Sequence, residues 1–183
     1  MSGMKPWTEL GWELITAGKG RRVVLDGETF RVSPRSRWIL NADQEPELRE
    51  FIRKHIRAGA TVLDVGSHAG RYVLWFARCS KTGMVHAFEP NPDTYHELLR
   101  NVRLNGLQDR VTVEQCAVSD QAGEVEFFGL PLEGMSRLGK PNPLLEGKAK
   151  TYRVCVVTLD EYVQARRLTP DWLRIDVEGY EYQ

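Results

Sequence analysis

The residues best placed to do chemistry are acidic side chains and glycines at the ends of apolar runs. The segment Leu63-Asp64-Val65-Gly66-Ser67-His68-Ala69-Gly70 follows a run of strand character and precedes a helical one. Gly66 permits a sharp turn, and Gly70 lets the following helix approach the sheet or a ligand closely. Backbone amides at the start of such a helix can meet a carboxylate or a phosphate. The same motif can also do no more than shape a tight turn. Glu89 follows the next apolar run, Met84 to Phe88. A carboxylate there can accept hydrogen bonds from two adjacent ribose hydroxyls. Its plain alternative is a solvated strand end. Taken together, Asp64, Gly66, Ser67, Gly70 and Glu89 point to a nucleoside-containing cofactor lying across the carboxyl ends of neighbouring parallel strands.

The glycine pattern also speaks to which cofactor. A dinucleotide site usually shows G-x-G-x-x-G, with a middle glycine that lets the backbone approach a pyrophosphate. That middle glycine is missing here, and Asp64 is poorly matched to a pyrophosphate. Asp64 suits the ammonium of an amino-acid moiety instead. These features favour S-adenosylmethionine over NAD. An NAD-linked oxidoreductase and a non-catalytic nucleotide-cofactor-binding protein stand as the alternatives.

Other elements must position these groups. Arg21 to Leu25 and Thr29 to Val32 flank Asp26-Gly27, a hairpin signal. Arg35 to Leu40 reads as a further short strand. A helix is expected from Asp43 to Ala58, with Leu48, Phe51, Ile52 and Ile56 on one face. Thr61 to Val65 lacks strict alternation, which suits a parallel strand covered on both faces. A second helix carries Val73, Leu74, Phe76 and Ala77. Asn91 reads as an N-cap with Pro92 at the first helical position, opening a helix to Leu104 that buries Tyr95, Leu98, Leu99 and Val102. Val111 to Cys116, Val125 to Phe128 and Tyr152 to Val157 read as strands. Leu159 to Ala165 reads as a short helix, and Trp172 to Val177 as a last strand. Strands alternating with helices argue for βαβ units and an α/β fold with a mostly parallel sheet. Residues 1–42 read as an accessory segment with a hairpin, and residues 43–183 as the cofactor-binding domain.

Composition narrows the function classes. The chain has 183 residues, with 25 Lys plus Arg balanced by 25 Asp plus Glu. Zero formal charge gives no support to a mainly electrostatic nucleic-acid binder, so no nucleic-acid partner is expected. Cys79, Cys116 and Cys155 are scattered, which fits a reducing compartment and gives no zinc signature. No apolar stretch approaches the ~18 residues of a membrane span, so no integral membrane association is expected. A cytoplasmic protein is the expectation. Trp7, Leu10, Trp12 and Leu14 read as caps over the core.

The series of motifs resembles the FkbM-type family of S-adenosylmethionine-dependent methyltransferases. The residues that carry this resemblance are Val62-Leu63-Asp64-Val65-Gly66, Gly70, Phe88-Glu89-Pro90-Asn91-Pro92, Asn101, and Leu104-Asn105-Gly106. They continue through Ala117-Val118-Ser119-Asp120, Thr158-Leu159-Asp160, and Ile175-Asp176-Val177-Glu178-Gly179. The resemblance implies a Rossmann-like class I methyltransferase fold. It places Asp64 and Gly66 at the methionine end of the cofactor, Glu89 at the ribose, and Ser119 and Asp120 at the adenine. Asp120 can equally cap the turn that follows it. Asp176 would face the methyl end of the cofactor, and Glu178 the acceptor or the pocket wall. Either can orient a hydroxyl or act as a base. Glu178 also has a plain reading as a carboxylate at a helix N-terminus. Two carboxylates make a weak metal site, and no metal is assigned. His68 stands where the family pattern has asparagine, and Tyr180 where it has a small residue. His68 is therefore a candidate for hydrogen bonding, positioning or general base work. His55, His86 and His96 read as surface or packed residues.

The reaction implied is methyl transfer to a hydroxyl oxygen of a sugar or small natural product. Leu130 to Lys150, rich in Gly and Pro, is the expected acceptor or closure loop, with Arg137 available to an anionic acceptor. The last strand carries Ile175 and Val177 with no helix after it. An apolar edge strand is a liability. The expectation is a fold cut short after its fourth core strand, or a homo-oligomer whose second subunit covers that edge.

Overall fold

The computed structural model describes residues 18–36, 39, 45–129, 137–138 and 150–177. A hairpin opens the described chain, with β1 (Arg21–Leu25) antiparallel to β2 (Glu28–Val32). Asp26 and Gly27 at its tip both have positive φ, 47° and 83°, as the expected two-residue turn requires. Helix α1 (Pro46–His55) starts on a proline. Strand β3 (Val62–Val65), α2 (Arg71–Cys79), β4 (Val85–Phe88), α3 (Pro92–Leu104) and β5 (Val111–Glu114) then alternate as expected. Asn91 caps α3, its side chain accepting from the Asp93 amide at 3.0 Å. Thr158 caps α4 (Leu159–Arg166) in the same way through the Glu161 amide.

The central sheet is fully parallel, in the order β10-β3-β4-β5, where β10 is Trp172–Ile175. Every residue of β3 and β4 is buried, which explains why neither strand alternates apolar with polar residues. Strand order reverses at β3: β4 and β5 extend to one side, and β10, last in sequence, pairs on the other. The crevice above such a switch point is where open α/β sheets bind ligands.

Three expectations are corrected. Val111 to Cys116 is not one strand. It breaks at the exposed Gln115, and β6 (Cys116–Val118) leaves for a second sheet. That sheet has the order β6-β9-β7-β8, with β7 (Gly123–Gly129), β8 (Arg137–Leu138) and β9 (Lys150–Val157). No helix lies between β6 and β7, so no crossover makes a βαβ unit there, and β7 pairs antiparallel with both β8 and β9. Second, Pro34–Ser36 is a single 3-10 turn rather than the start of a strand; residues 37, 38 and 40 lie outside the described set. Third, α3 turns polar groups inward. Thr94, Glu97 and Asn101 are buried beside Leu98 and Val102, while Tyr95 and Leu99 are half-buried.

Those inward polar groups fasten the hairpin side of the molecule to the glycine loop. Asn101 Oδ1 accepts from the Ser33 amide at 2.8 Å. Its Nδ2 donates to Ser36 Oγ at 2.9 Å and to the Ala69 carbonyl at 2.8 Å. Asn105 brackets Arg31, accepting from its amide and donating to its carbonyl. Leu25, Phe30 and Val32 of the hairpin share one apolar core with Tyr72, Val73, Trp75 and Phe76 of α2. Arg49, buried on α1, pairs with Asp26 at 2.7 Å. The far edge differs. Leu173 and Ile175 of β10 are about half exposed on one face. Trp7, Leu10, Trp12 and Leu14, and most of Leu130 to Lys150, fall outside the described residues.

Candidate cofactor site

The β3 to α2 turn is built around two close approaches. Gly66 has φ 77°, and a Cβ there would lie 2.0 Å from the Asp176 carbonyl oxygen. Only glycine lets β10 end against this turn. The amides of Gly66 and Ser67 both donate to the Phe88 carbonyl at 3.0 Å, fixing the loop to the end of β4. Ser67 Oγ donates back to the Asp64 carbonyl at 2.7 Å. Gly70 caps α2 with φ 97°, and a Cβ there would lie 2.5 Å from Leu98 Cδ1. So the close neighbour that Gly70 admits is α3, where the sequence suggested the sheet or a ligand.

Asp64 is wholly buried inside β3, not perched at its end. Its Oδ1 accepts from Arg174 Nη1 at 3.0 Å, and its Oδ2 has no partner among the described residues. Burial pushes its carboxyl above the ordinary range, and Arg174 opposes that shift. Arg174 is Asp64's register partner on β10, and Nη2 of the same guanidinium donates to Asp176 Oδ2 at 2.6 Å. It lies over the Tyr72 ring at 4.1 Å, and Tyr72 in turn donates to Glu45 Oε2 at 2.8 Å. The two carboxylates of the switch point are thus held apart by one stacked cation.

Glu89 is buried and heavily engaged. Its Oε2 accepts from the His68 amide at 2.7 Å. Its Oε1 accepts from the Asn91 amide at 2.9 Å and from Thr94 Oγ1 at 2.8 Å. Burial raises its carboxyl to about 7, against these hydrogen bonds and with help from the charge on Asp64. A carboxylate oxygen has two in-plane lone pairs. Both are used on Oε1, while Oε2 has one acceptor position that no described residue uses.

His68 is a non-glycine residue with φ 50°, in the region that asparagine tolerates better than most side chains. Burial lowers its pKa to about 4; nearby Asp176 opposes this shift and Arg71 reinforces it. Its imidazole is therefore neutral at physiological pH. Ser119 and Asp120 follow β6 of the second sheet, Ser119 Oγ donates to Asp120 Oδ1 at 3.1 Å, and Asp120 is exposed. Neither makes a hydrogen bond to Asp64, Glu89 or His68. Glu178 lies outside the described residues.

Sequence reasoning missed Arg174, Tyr72 and Thr94. The signal for Arg174 was present: it is a cation inside an otherwise apolar strand, two positions before Asp176. Thr94 lies in the first turn of α3, and periodicity alone does not aim it at Glu89. Among the described residues no cluster of three or more His, Cys, Asp or Glu side chains is arranged to hold a metal ion. His55 and His96 are exposed and bond their own helices. His86 is packed, its Nδ1 2.9 Å from the Tyr162 hydroxyl.

A family model described as "Methyltransferase FkbM domain" matches residues 64–183. The chain belongs to the FkbM methyltransferase family. Among curated proteins, this FkbM domain is 45% identical over 71 residues to the 31-O-demethyl-FK506 methyltransferase FkbM of Streptomyces tacrolimicus, covering 37% of this chain and 25% of that protein. It is 29% identical over 121 residues to the hexuronic acid methyltransferase AglP of Haloferax volcanii, covering 66% of this chain and 46% of that protein. The matched part of the chain thus spans less than half the length of either relative. Among solved structures it is similar to M. jannaschii TYW2 in complex with AdoMet, at 25% identity and a TM-score of 0.41, over 52% of this chain and 42% of that one.

Proposed function

We propose that this FkbM chain takes part in S-adenosylmethionine-dependent methyl transfer to a hydroxyl oxygen, on a sugar or a small natural product. One observation carries the reading most directly. At the switch point, a buried aspartate keeps one carboxylate oxygen without a partner among the described residues, beside a glycine turn whose far end is tied to a buried glutamate. A buried carboxylate oxygen with no donor is costly unless a ligand supplies one. The ammonium of an amino-acid moiety is such a donor. Glu89 Oε2 offers the matching acceptor for a ribose hydroxyl. The names of the two curated relatives, one a 31-O-demethyl-FK506 methyltransferase and one a hexuronic acid methyltransferase, support oxygen on a small molecule or sugar acid as the acceptor class.

When bound, S-adenosylmethionine supplies the electrophilic methyl. The chain's own residues do the rest. Asp64 holds the ammonium, and Gly66, Ser67 and Gly70 shape the turn that lets the ligand approach. Glu89 orients the ribose, and Ser119 and Asp120 are proposed for the adenine. Asp176 accepts the proton of the acceptor hydroxyl or aligns it, and Glu178 is proposed as a second acceptor-side carboxylate. His68 is neutral and a weak base, so its role is to position groups rather than to take the proton. Closure of the site excludes water and fixes the in-line geometry that such a transfer needs. Free cysteines at Cys79, Cys116 and Cys155 support a reducing, cytoplasmic setting. No described helix is long and apolar enough to cross a membrane.

The test is calorimetric titration with S-adenosylmethionine, beside Glu89→Ala and an NAD control. Saturable binding that weakens in Glu89→Ala, with no NAD signal, is expected. NAD binding would replace this reading with a dehydrogenase. Binding without turnover on sugar and small-molecule hydroxyl acceptors would leave a cofactor-binding protein only.

A further inference from the structure

We propose that Cys116 and Cys155 are a reversible redox pair, closing an intramolecular disulfide between β6 and β9 when a peroxide is present. The register of the second sheet brings them together. Cys116 and Cys155 are direct register partners on these parallel strands, and both are free thiols. Paired strands lie about 4.7–4.9 Å apart. A disulfide joins Cα atoms about 4.4–6.8 Å apart. The two side chains also share a face, because successive residues of a strand point to opposite sides. Cys116 packs in one apolar cluster with Val118 and Val157, whereas Ala117, Val154 and Val156 pack in another. Val118 and Val157 are register partners too, and the cysteines, each two positions earlier, stand on their side.

The two thiols differ in access, and so in role. Cys155 is exposed and meets the oxidant; Cys116 is buried behind it. Burial, with the charges of Glu114 and Cys155 adding to it, pushes the Cys116 thiol up to about 12, so Cys116 does not react first. The Cys155 sulfur attacks peroxide: an S–O bond forms, the O–O bond breaks, and a sulfenic acid and one water result. The Cys116 sulfur then attacks the Cys155 sulfur. The S–S bond forms, the S–O bond breaks, and hydroxide leaves with the Cys116 proton as a second water. The two thiols give up two electrons, and the peroxide takes them. Strand β6 can yield to this bond, being three residues long at the edge of its sheet. A disulfide with one exposed sulfur is also the kind that reductants reach and reopen. Cys116 precedes and Cys155 follows the segment that holds β7, β8 and the expected acceptor loop, so the bond ties that segment's two ends together. Cys79 lies on α2 and packs against the other core, that of the hairpin.

The test treats the full chain, reduced and then freed of reductant, with hydrogen peroxide, and maps its tryptic peptides without reduction. Cleavage after Arg110, Arg137, Arg153 and Arg166 puts Cys116 on peptide 111–137 and Cys155 on peptide 154–166. These two peptides are expected linked, from monomeric chain, and the titratable thiols should fall from three to one. Reduced glutathione should restore all three. Cys116→Ser and Cys155→Ser should each lose the linked peptides, and Cys79→Ser should keep them. Thermal melting identifies a variant that does not fold, and the map of the unmodified chain then decides alone. Three thiols that survive peroxide would overturn the redox pair. So would Cys155 carried on to sulfinic acid with Cys116 still a thiol, dimers linked through Cys155, or Cys79 pairing as often as Cys116 does. A linked pair that glutathione leaves closed would overturn its reversibility.

Discussion

Gly66→Ala is the substitution on which the architecture of the site can be tested most directly. The added Cβ would stand 2.0 Å from the Asp176 carbonyl oxygen and 2.9 Å from its carbon, where real Cβ atoms essentially never come under 3.0 Å. The end of β10 must move away by about 1 Å or more. That movement strains the hydrogen bond from the Asp176 amide to the Val65 carbonyl, now 3.0 Å, worth about 1 kcal/mol. Alanine at φ 77° adds about 1–2 kcal/mol of backbone strain. Forcing apart a packed contact costs a further ~1–3 kcal/mol. Together these give a loss of about 3–6 kcal/mol, enough to unfold much of a marginally stable domain. Urea denaturation followed by circular dichroism reads it. Gly27→Ala is the control: its φ is 83°, yet a Cβ there meets nothing within 4 Å. It should lose only the backbone part. If the two variants are equally destabilised, the close approach of β10 to the glycine turn is wrong. Because Asp176 and Arg174 move with β10, a folded Gly66→Ala chain should also bind S-adenosylhomocysteine more weakly.

Three further outcomes are expected. Glu89 is raised to about 7 in the folded chain, so it keeps a proton that the unfolded chain releases near 4.5. Its contribution to stability is full below about pH 4.5 and is lost as pH rises through about 7, a swing of about 3 kcal/mol. Urea midpoints between pH 5 and pH 8 should fall more in the unmodified chain than in Glu89→Gln, and parallel curves would refute the buried titration. Asn101→Leu should cost about 2–4 kcal/mol in the same assay, because the Ser33 amide and the Ala69 carbonyl lose their partner; a loss under about 1 kcal/mol would refute the bridge. Tyr162→Phe removes the hydroxyl between His86 Nδ1 and Glu114 Oε1, and should cost about 1–3 kcal/mol while leaving S-adenosylhomocysteine affinity unchanged by calorimetry.

Local chemistry made much of the fold legible in the sequence. Asp26-Gly27 specified its turn, Asn91-Pro92 started α3, and Gly106, with φ 65°, followed its end. Each signal acts within a few residues, through a backbone conformation or a single capping bond, so its reading does not depend on the rest of the chain. The alternation of β3, α2, β4, α3 and β5 implied the parallel sheet. Aspartate and glycines at the β3 turn, and glutamate after β4, marked the candidate site for the same reason.

What tertiary structure decided is who meets whom across long separations. Nothing local in Trp172–Ile175 says that it pairs beside Val62–Val65, yet that pairing sets Arg174 against Asp64 and closes Asp176 on Gly66. Nothing local in Val111 to Val118 says that Gln115 ends one sheet and begins the approach to another. The inward face of α3 needed Ser33, Ser36 and Ala69 to be satisfied, and only the folded chain supplies them. Glu89 read as a ribose acceptor from its place after β4. Burial raised its pKa to about 7 against the three donors that the protein supplies. Residue type and spacing determined which groups were available. Desolvation and register, properties of the whole fold, decided their charge and their company.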